Sequence, residues 1–357
     1  MIDSLVLNDD CEGLASELYR LGFANRTFFI TGSTGLLGRI LTSSIIKANY
    51  NYGLNNKIVL LARNPEKLQR LYKDNLNDFE VVFGDVKNDI KYNNNVDYVF
   101  HFASITSSKA MVEQPVEVID TTINGTLNIL KFSKEHNAKK VLFTSTMEVF
   151  GDTQGRFVKE SDLGSLCVTD VRTSYPESKR MAENICASFA SEYGLDVRVA
   201  RLTQTFGAGA ELEDKRIFSV IAKAVAEKRN VELASKGELV RDYCYTTDAL
   251  SAMLYILKYG EKNGVYNVAN PNTNTSVFDM AKAVAKQFGE GCSNVVVKVP
   301  ENVKSMGFSK PSITRLNVEK LYGLGWKPKY DLLEMYERLI GYYKEIEGEV
   351  DEKSRNQ

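Results

Sequence analysis

The chain has 357 residues, of which 43% are hydrophobic and 25% are charged, and its formal net charge at pH 7 is −1. A length of this order gives one large domain with an added lobe, or two domains, and the composition is that of a globular protein. The near-neutral charge excludes a strong positive field for gathering polyanions, so nucleic acid is not a predicted partner.

Predicted elements begin with a short helix over residues 11–22, which we expect to pack on the fold. From Thr27 the pattern is strand, glycine-rich turn, helix and strand, and it continues as strands alternating with helices. The predicted strands are 27–30, 57–61, 81–83, 96–100, 140–143 and 197–200, and the predicted helices between them include 36–47, 116–136 and 175–193. The fold class is therefore α/β, a doubly wound parallel sheet of six or seven strands, which is Rossmann-like.

After Phe206 the pattern is shorter and more irregular, which predicts a smaller interleaved C-terminal α/β substrate lobe. The elements predicted after Phe206 are helices near 216–228, 276–288 and 331–345 and a returning strand near 239–245. The predicted units are an N-terminal helical extension (1–26), a dinucleotide-binding domain (27–203 with about 237–268), the substrate lobe (about 204–236 with 269–345) and a frayed tail (346–357).

A glycine-rich loop follows the first predicted strand and opens a helix. The segment is Thr31-Gly32-Ser33-Thr34-Gly35-Leu36-Leu37-Gly38, and each of its residues from Gly32 to Gly38 is a predicted cofactor contact. Glycines permit a tight turn and close approach to a pyrophosphate, and the helix N-terminus offers free N–H groups to the phosphates. The spacing G-x-x-G-x-x-G resembles that of the extended short-chain dehydrogenase/reductase family.

The second predicted strand ends in Ala62 and Arg63, where a carboxylate would be expected if the chain held the ribose diol of NAD. Arg63 instead offers a planar cationic fork that suits the 2′-phosphate of NADP. An exposed surface arginine is the alternative. We therefore predict NADP as cofactor, with NAD second.

Two further strand ends are predicted to line the cofactor. Asp85 and Val86 follow the third strand, where the family resemblance implies a carboxylate that accepts a hydrogen bond from the adenine. Phe102, Ala103 and Ser104 follow the fourth, where small residues let the backbone lie along the cofactor. A turn role for Asp85 and simple close packing of Ala103 are the alternatives.

Tyr175 and Lys179 lie four residues apart, which places both on one face of the following helix. A neighbouring ammonium and a nicotinamide cation favour the phenolate, so Tyr175 can exchange a proton with a sugar hydroxyl while hydride moves. Lys179 is also predicted to hold the nicotinamide ribose.

Thr146, Met147 and Glu148 leave a buried strand at its carboxyl end, where ligands bind in such sheets. Thr146 can share the proton of the reacting hydroxyl, and Glu148 can act as a base or bind a hydroxyl. For Glu148 the alternative is a solvated carboxylate.

From about Thr27 to Leu339 the order of motifs is similar to the nucleotide-sugar epimerase/dehydratase branch of the family, and it resembles UDP-glucuronate decarboxylases most in its motifs. The resembling segments are 145–151, 175–183, 197–201, 241–245 and 266–271. The resemblance implies a tightly held cofactor and transient oxidation at the sugar C4 hydroxyl, with Thr146, Tyr175 and Lys179 at the catalytic positions.

The departures from the branch lie on the substrate side. Met147 stands where dehydratases carry an acid and decarboxylases a Ser, and methionine cannot transfer a proton. Gln204 and Thr122 each replace a common Asn. Arg216 and Arg241 match family arginines that bind phosphates, with a structural salt bridge as the alternative. The predicted substrate-binding residues are Ser104, Thr146, Met147, Gln204, Arg216 and Arg241.

Metal and membrane sites are not predicted. The five cysteines are scattered, and two histidines are too few for a His-rich centre. The first residues form neither a basic n-region nor an apolar run, and no later segment approaches a membrane span, so we expect a cytoplasmic protein without a membrane partner.

The leading hypothesis is an NADP-dependent, epimerase-like enzyme acting on a nucleotide sugar or sugar phosphate through a keto intermediate. A net NADPH-dependent reductase of a keto-sugar or sugar phosphate is the second hypothesis. A cofactor-sensing protein without turnover is the third. The family resemblance implies a homodimer formed through a pair of helices.

Overall fold

The computed structural model describes residues 4–299 and 312–355, and side chains as far as residue 348. Within these ranges, the helices are α1 (Leu5–Arg20), α2 (Leu36–Tyr52), α3 (Pro65–Tyr72), α4 (Ala110–Glu113), α5 (Pro115–Glu135), α6 (Ser174–Tyr193), α7 (Ile217–Ala226), α8 (Thr246–Tyr259), α9 (Val277–Phe288), α10 (Glu319–Tyr322) and α11 (Leu332–Arg355). The strands are β1 (Thr27–Thr31), β2 (Lys57–Ala62), β3 (Glu80–Phe83), β4 (Tyr98–His101), β5 (Lys140–Thr146), β6 (Phe157–Val158), β7 (Val197–Leu202), β8 (Gln204–Phe206), β9 (Val231–Leu233), β10 (Val240–Tyr245), β11 (Val265–Val268), β12 (Asn270–Ser276), β13 (Val295–Val297) and β14 (Arg315–Leu316). None of the helices in the described part of the chain has the length and apolarity to cross a bilayer.

The central sheet has seven strands in the order β3-β2-β1-β4-β5-β7-β11, and every neighbouring pair is parallel. This confirms the predicted doubly wound sheet. The seventh strand is β11, however, and the strand predicted near 239–245 is β10, which lies between β8 and β12 in a separate three-stranded sheet. Both segments are short and apolar, and periodicity alone does not say which sheet a strand joins.

The sheet is buried on both faces because helices cover each of them. Alternate residues of a strand point to opposite sides, so Phe28 and Ile30 pack in the core beneath α1, α2 and α8, whereas Phe29 packs beneath α5 and α6. Burial on both faces explains why these strands are continuous apolar runs.

Helix α1 is fastened to the rest of the fold through a buried carboxylate. Ser4 caps its first turn, since the Leu7 N–H donates to Ser4 Oγ at 3.0 Å. Asp10 accepts hydrogen bonds from the Tyr245 hydroxyl at 2.6 Å and from Arg338 Nε at 2.9 Å. The helix begins six residues before the predicted start at residue 11, because the polar run before Cys11 hides the apolar stripe.

The C-terminal segment differs from the prediction of a frayed tail from residue 346. Helix α11 continues to Arg355, and Ile346 is buried and belongs to the main hydrophobic core. The charged composition of this segment hid that apolar contact from the sequence pattern.

We predict a pH-dependent contribution to stability from Asp248 in the first turn of α8. Its Oδ2 accepts the Lys329 and Tyr330 N–H groups at 3.0 and 3.1 Å, and burial raises the carboxyl pKa to about 7. The folded state then binds more protons than the unfolded state between the two pKa values, so stability falls as the pH rises through this window. Asp248→Asn keeps a carbonyl acceptor and removes the charge. The free energy of unfolding of variant and wild type is measured in urea at about pH 4.5 and about pH 7.5. We expect the difference, variant minus wild type, to be more favourable to the variant at about pH 7.5. An equal difference at both pH values would contradict this prediction.

Candidate active site

The glycine-rich loop presses against the ends of its neighbouring strands. Gly32 has φ of +65°, and a Cβ there would lie 2.8 Å from the Ala103 nitrogen. A Cβ on Gly38 would lie 2.4 Å from the Gly32 carbonyl oxygen. Ser33 is buried and donates its hydroxyl to the Leu61 carbonyl at 3.0 Å. The loop therefore leaves no room for side chains at Gly32 and Gly38.

The start of helix α2 leaves hydrogen-bond donors free. Gly35 is the N-cap residue, and no side chain caps the helix there. The first N–H groups of a helix have no partner within the helix, so an uncapped start offers donors and a partial positive charge to an anion. These features fit the pyrophosphate of a dinucleotide, which residues 32–38 would hold.

The predicted adenosine-side residues lie together at the carboxyl edge of the sheet. Arg63 Nη1 is 3.3 Å from Asp85 Oδ2, and the Arg63 side chain is 69% exposed. The other Asp85 oxygen accepts the Lys87 N–H at 3.0 Å, as in a turn, and Val86 is buried. Arg63 and Asp85 are therefore neighbours at the surface, where a bound ribose could reach both.

The segment after β4 is hydrogen-bonded to the fold through its main chain at Ala103, and the Ser104 hydroxyl that follows lacks such a bond. The Ala103 N–H donates to Thr31 Oγ1 at 3.1 Å, and Phe102 is partly buried against the core. Ser104 Oγ is buried, and it has no partner with full hydrogen-bond geometry. Thr144 Oγ1 in β5 is also buried and unpartnered. Buried hydroxyls without partners are uncommon, so these two fit polar groups of a cofactor or substrate.

Tyr175 and Lys179 are both buried on α6, as the spacing predicted. Lys179 Nζ donates to the Thr144 carbonyl at 2.7 Å and lies 5.9 Å from the centre of the Tyr175 ring. Burial lowers the pKa of Lys179 to about 8. The ammonium therefore lies beside the Tyr175 ring and beside the main chain of β5.

The pKa of the Tyr175 phenol is raised above its ordinary range, first by burial and then by the nearby Glu148 carboxylate. Contacts with Thr146 and Ser104 and the charge of Arg172 act in the opposite direction. Ser104 is close enough to contribute, although its contact falls short of full hydrogen-bond geometry. Tyr175 is thus protonated at neutral pH until a further positive charge enters the site.

The strand β5 ends at Thr146, and a 3-10 turn over Met147–Phe150 follows. Thr146 Oγ1 accepts the Glu148 N–H at 3.3 Å. Glu148 forms a two-point ion pair with Arg172, with N···O distances of 3.0 and 3.3 Å. The carboxylate is therefore ion-paired, a contact that the sequence alone did not indicate; its role as a base or in binding a hydroxyl stays a prediction.

Met147 is buried in a small apolar cluster, and its sulfur accepts a hydrogen bond from Thr203 at 3.4 Å. The cluster consists of Met147, Val149, Phe150, Val158, Ala269, Leu316 and Val318. Methionine at this position thus contributes packing beneath the turn, and it brings no proton-transfer group.

The predicted phosphate-binding arginines have protein partners. Arg241 is buried and donates to the Val240 and Ser312 carbonyls and to Ser312 Oγ, each at 2.7 Å. Arg216 forms a two-point pair with Asp214, at distances from 2.6 to 3.1 Å. Arg241 also lies close enough to Glu148 for their charges to interact. Of the two arginines, Arg241 is thus the one whose charge reaches a residue of the predicted catalytic set.

Gln204 and Thr122, which each replace a common Asn of the nucleotide-sugar branch, differ in their surroundings. Gln204 begins β8 and is half-buried opposite Tyr243 of β10. Thr122 is buried in α5, where its hydroxyl donates to the Val118 carbonyl at 2.8 Å. Gln204 therefore has the more accessible side chain of the two.

Sequence reasoning missed three partners of the site. Arg172 precedes Tyr175 by three residues, and helical spacing alone could have suggested it. Glu183 follows Lys179 by one turn and binds Arg201 at 2.7 to 3.2 Å. His101 is buried with its Nδ1 2.9 Å from Thr31 Oγ1, and burial and Lys179 lower its pKa to about 3. A neutral imidazole thus lies beneath the loop.

A buried Tyr–Lys pair, a glycine loop at the start of a helix and a doubly wound sheet define a dinucleotide-dependent enzyme of the extended short-chain dehydrogenase/reductase class. Residues 28–269 match the model of the NAD dependent epimerase/dehydratase family. The chain belongs to this family.

The relatives and structural neighbours are nucleotide-sugar enzymes. UDP-glucuronic acid decarboxylase 5 of Arabidopsis thaliana is 28% identical over 87% of each chain. Among solved structures, UDP-N-acetylglucosamine 4-epimerase from Methanobrevibacter ruminantium has a TM-score of 0.75 at 19% identity, covering 90% of this chain and 98% of that one. UDP-glucuronic acid 4-epimerase from Bacillus cereus, solved with UDP-glucuronic acid and NAD, has a TM-score of 0.70 at 18% identity, covering 90% and 99%. At these identities the two structures show the likeness of fold.

Proposed function

We propose that this chain is an NADP-dependent enzyme that oxidises a hydroxyl of a nucleotide sugar to a keto intermediate and reduces it again, with epimerisation as the net result. The observation that carries the proposal is the buried Tyr175–Lys179 pair, adjoining the unpartnered hydroxyls of Ser104 and Thr144. The names of the decarboxylase and epimerase relatives support a nucleotide sugar over a sugar phosphate.

In the proposed mechanism, Tyr175 accepts the proton of the sugar hydroxyl and Thr146 orients that hydroxyl by sharing the proton. Lys179 stabilises the phenolate through its charge. A bound nicotinamide dinucleotide supplies the hydride acceptor and later the hydride donor. Tyr175 then returns the proton when the carbonyl is reduced on its other face.

Epimerisation is the net reaction we propose, because the site lacks proton-transfer groups that the other reactions of this family need. Met147 cannot supply the acid that a 4,6-dehydration needs. Glu148 is ion-paired with Arg172, which opposes its use as a base next to the carbonyl. Epimerisation needs the fewest extra proton-transfer groups, so we propose it above dehydration and decarboxylation.

Cofactor stoichiometry tests this outcome. With UDP-glucuronic acid or UDP-glucose and added NADP⁺, an epimerase forms product over many turnovers without net formation of NADPH. The exposed Arg63 at the end of β2 favours the reductase as second candidate, because NADPH is the usual reductant in biosynthesis. Consumption of one NADPH per product from a 4-keto-sugar would replace the epimerase with that reductase.

We predict that Arg63→Ala weakens NADP(H) more than NAD(H). Removing a cation from a phosphate contact costs about 1.5–3 kcal/mol, or about 10- to 100-fold in affinity. Titration of both cofactors against both proteins by calorimetry measures the ratio. Arg229→Ala is the matched variant, because it removes an exposed arginine that pairs with Glu227 and should leave the affinity for both cofactors unchanged. Equal loss for both cofactors in Arg63→Ala would leave NAD, which the Bacillus cereus enzyme binds, as the cofactor.

We also propose a homodimer through α5 and α6, which carry the exposed apolar side chains of Val116, Ile119 and Met181. Sedimentation of the wild type tests it. The division into a dinucleotide-binding domain and a substrate lobe and the cytoplasmic location remain predictions from the sequence.

A further inference from the structure

We propose that Arg172 is a positioning residue for the hydride step, which acts by holding the Glu148 carboxylate in a two-point ion pair beside Tyr175 and Thr146. This inference rests on the proposed function and adds to it a residue that sets when the proton moves. Arg172 itself need not touch the substrate.

The ion pair joins the two elements that carry the reacting hydroxyls. Glu148 lies in the 3-10 turn that follows β5, directly after Thr146, and Arg172 lies in the 3-10 turn that leads into α6, three residues before Tyr175. Asp170 caps the second turn by accepting the Arg172 N–H at 3.0 Å. One contact between side chains therefore helps to fix the spacing between Thr146 and Tyr175, because it joins the turn after Thr146 to the turn before Tyr175.

The geometry of the pair is that of a fork. Arg172 Nη1 lies 3.0 Å from Glu148 Oε2, and Nη2 lies 3.3 Å from Oε1. The side chains are 17% and 24% exposed, so water screens this pair less than an exposed one. Two parallel bonds fix the plane of the carboxylate as well as its distance, which a single lysine bond does not.

The charges around the pair show what Arg172 prevents. Within the described residues, hydrogen bonds from other side chains to the Glu148 carboxylate come from Arg172, while Arg241 from β10 directs its donors to Val240 and Ser312. Lys179 on α6 directs its ammonium to the Thr144 carbonyl. Loss of Arg172 would leave a carboxylate near the Tyr175 phenol without its hydrogen-bonded cation.

Although the charge of Arg241 still reaches it, a Glu148 carboxylate without its hydrogen-bonded cation has two effects at this position. It opposes formation of the phenolate, because two negative charges would then lie close together. It also becomes available as a base toward a proton next to the sugar carbonyl. Arg172 suppresses both effects at once, so that proton exchange with the substrate proceeds through Tyr175 and not through Glu148.

The test uses the pH dependence of hydride transfer in variants of the full chain. Wild type, Arg172→Gln, Arg172→Lys and the double variant Arg172→Gln with Glu148→Gln are loaded with oxidised dinucleotide. Each is mixed with UDP-glucose or UDP-glucuronic acid, and the absorbance of the reduced nicotinamide is followed across a pH series. Dinucleotide affinity is measured in parallel by calorimetry. Arg229→Gln, which removes a surface pair with Glu227, is the control.

We expect Arg172→Gln to move the rise of the rate to higher pH by about one unit, which makes it about 10-fold slower near neutrality and nearly normal at high pH. Arg172→Lys should recover part of the rate, and the double variant should recover most of it, because the uncompensated charge is gone. Dinucleotide affinity should stay within about 2-fold of wild type in all variants.

Two results would overturn the inference. An unshifted pH profile in Arg172→Gln, or a loss at every pH that the double variant does not recover, would make Arg172 a purely structural contact. Absence of both transient cofactor reduction and product formation in wild type with either sugar would overturn the proposed function, and this inference with it. The two failures are distinguished by whether the wild type converts either sugar.

Discussion

Tyr175→Phe is expected to slow turnover of a nucleotide sugar by about 10²- to 10⁴-fold while the dinucleotide stays bound. The phenol is buried, and its hydroxyl lies among Thr146, Ser104 and the charges of Glu148 and Arg172. Removing the hydroxyl leaves the ring and its packing in place and deletes the group that accepts the proton. Turnover is measured by chromatography of UDP-glucose and UDP-glucuronic acid, and dinucleotide content by the absorbance of the purified protein.

The control for this variant lies on the same helix. Tyr193→Phe removes a hydroxyl at the exposed end of α6, where the ring contacts Lys134 and Phe189. It should leave turnover within about 2-fold of wild type. Full activity in Tyr175→Phe would remove this residue from the mechanism, and loss of bound dinucleotide would assign it to binding instead.

Gly38→Ala is expected to abolish dinucleotide binding and to destabilise the fold by about 1–3 kcal/mol. The added Cβ would lie 2.4 Å from the Gly32 carbonyl oxygen and 2.8 Å from the Ser33 Cα, and both of these are backbone atoms. To relieve these two close contacts, the loop must move away from the start of α2. This movement separates the N–H groups at the start of the helix from the pyrophosphate that they would bind. Calorimetric titration with NADP(H) and urea unfolding measure the two effects.

Gly13→Ala is the matched substitution at a glycine without such contacts. Gly13 lies on the exposed side of α1, and a Cβ there meets nothing within 4 Å. Alanine has the higher helix propensity, so a gain of about 0.5–1 kcal/mol with unchanged dinucleotide affinity is expected. Dinucleotide affinity at the wild-type level in Gly38→Ala would show that the loop does not hold the cofactor.

The sequence predicted those features that depend on short spacings. Gly32, Gly35 and Gly38 form one turn, and Tyr175 and Lys179 share one helix face, so a few neighbouring residues carry the whole signal. The parallel sheet followed from apolar runs that are continuous because both faces are buried. These parts of the fold agree with the structure.

The remaining features depend on partners that are distant in the sequence. The pairing of Glu148 with Arg172 and of Glu183 with Arg201 requires the fold to be known. Met147 is directed into an apolar cluster with Thr203, which no local pattern indicates. The same reason explains why the sequence pattern did not show that β10 joins a separate three-stranded sheet.

The proposed reaction requires that hydride leaves one sugar carbon and returns to it within a single active site. The most direct measurement uses UDP-glucose and UDP-glucuronic acid that carry deuterium at C4, with the product analysed by NMR and mass spectrometry. We predict that the product retains deuterium at C4 and that the labelled sugar reacts more slowly than the unlabelled one. Exchange of that deuterium with solvent, or failure of both sugars to react, would contradict the proposed reaction.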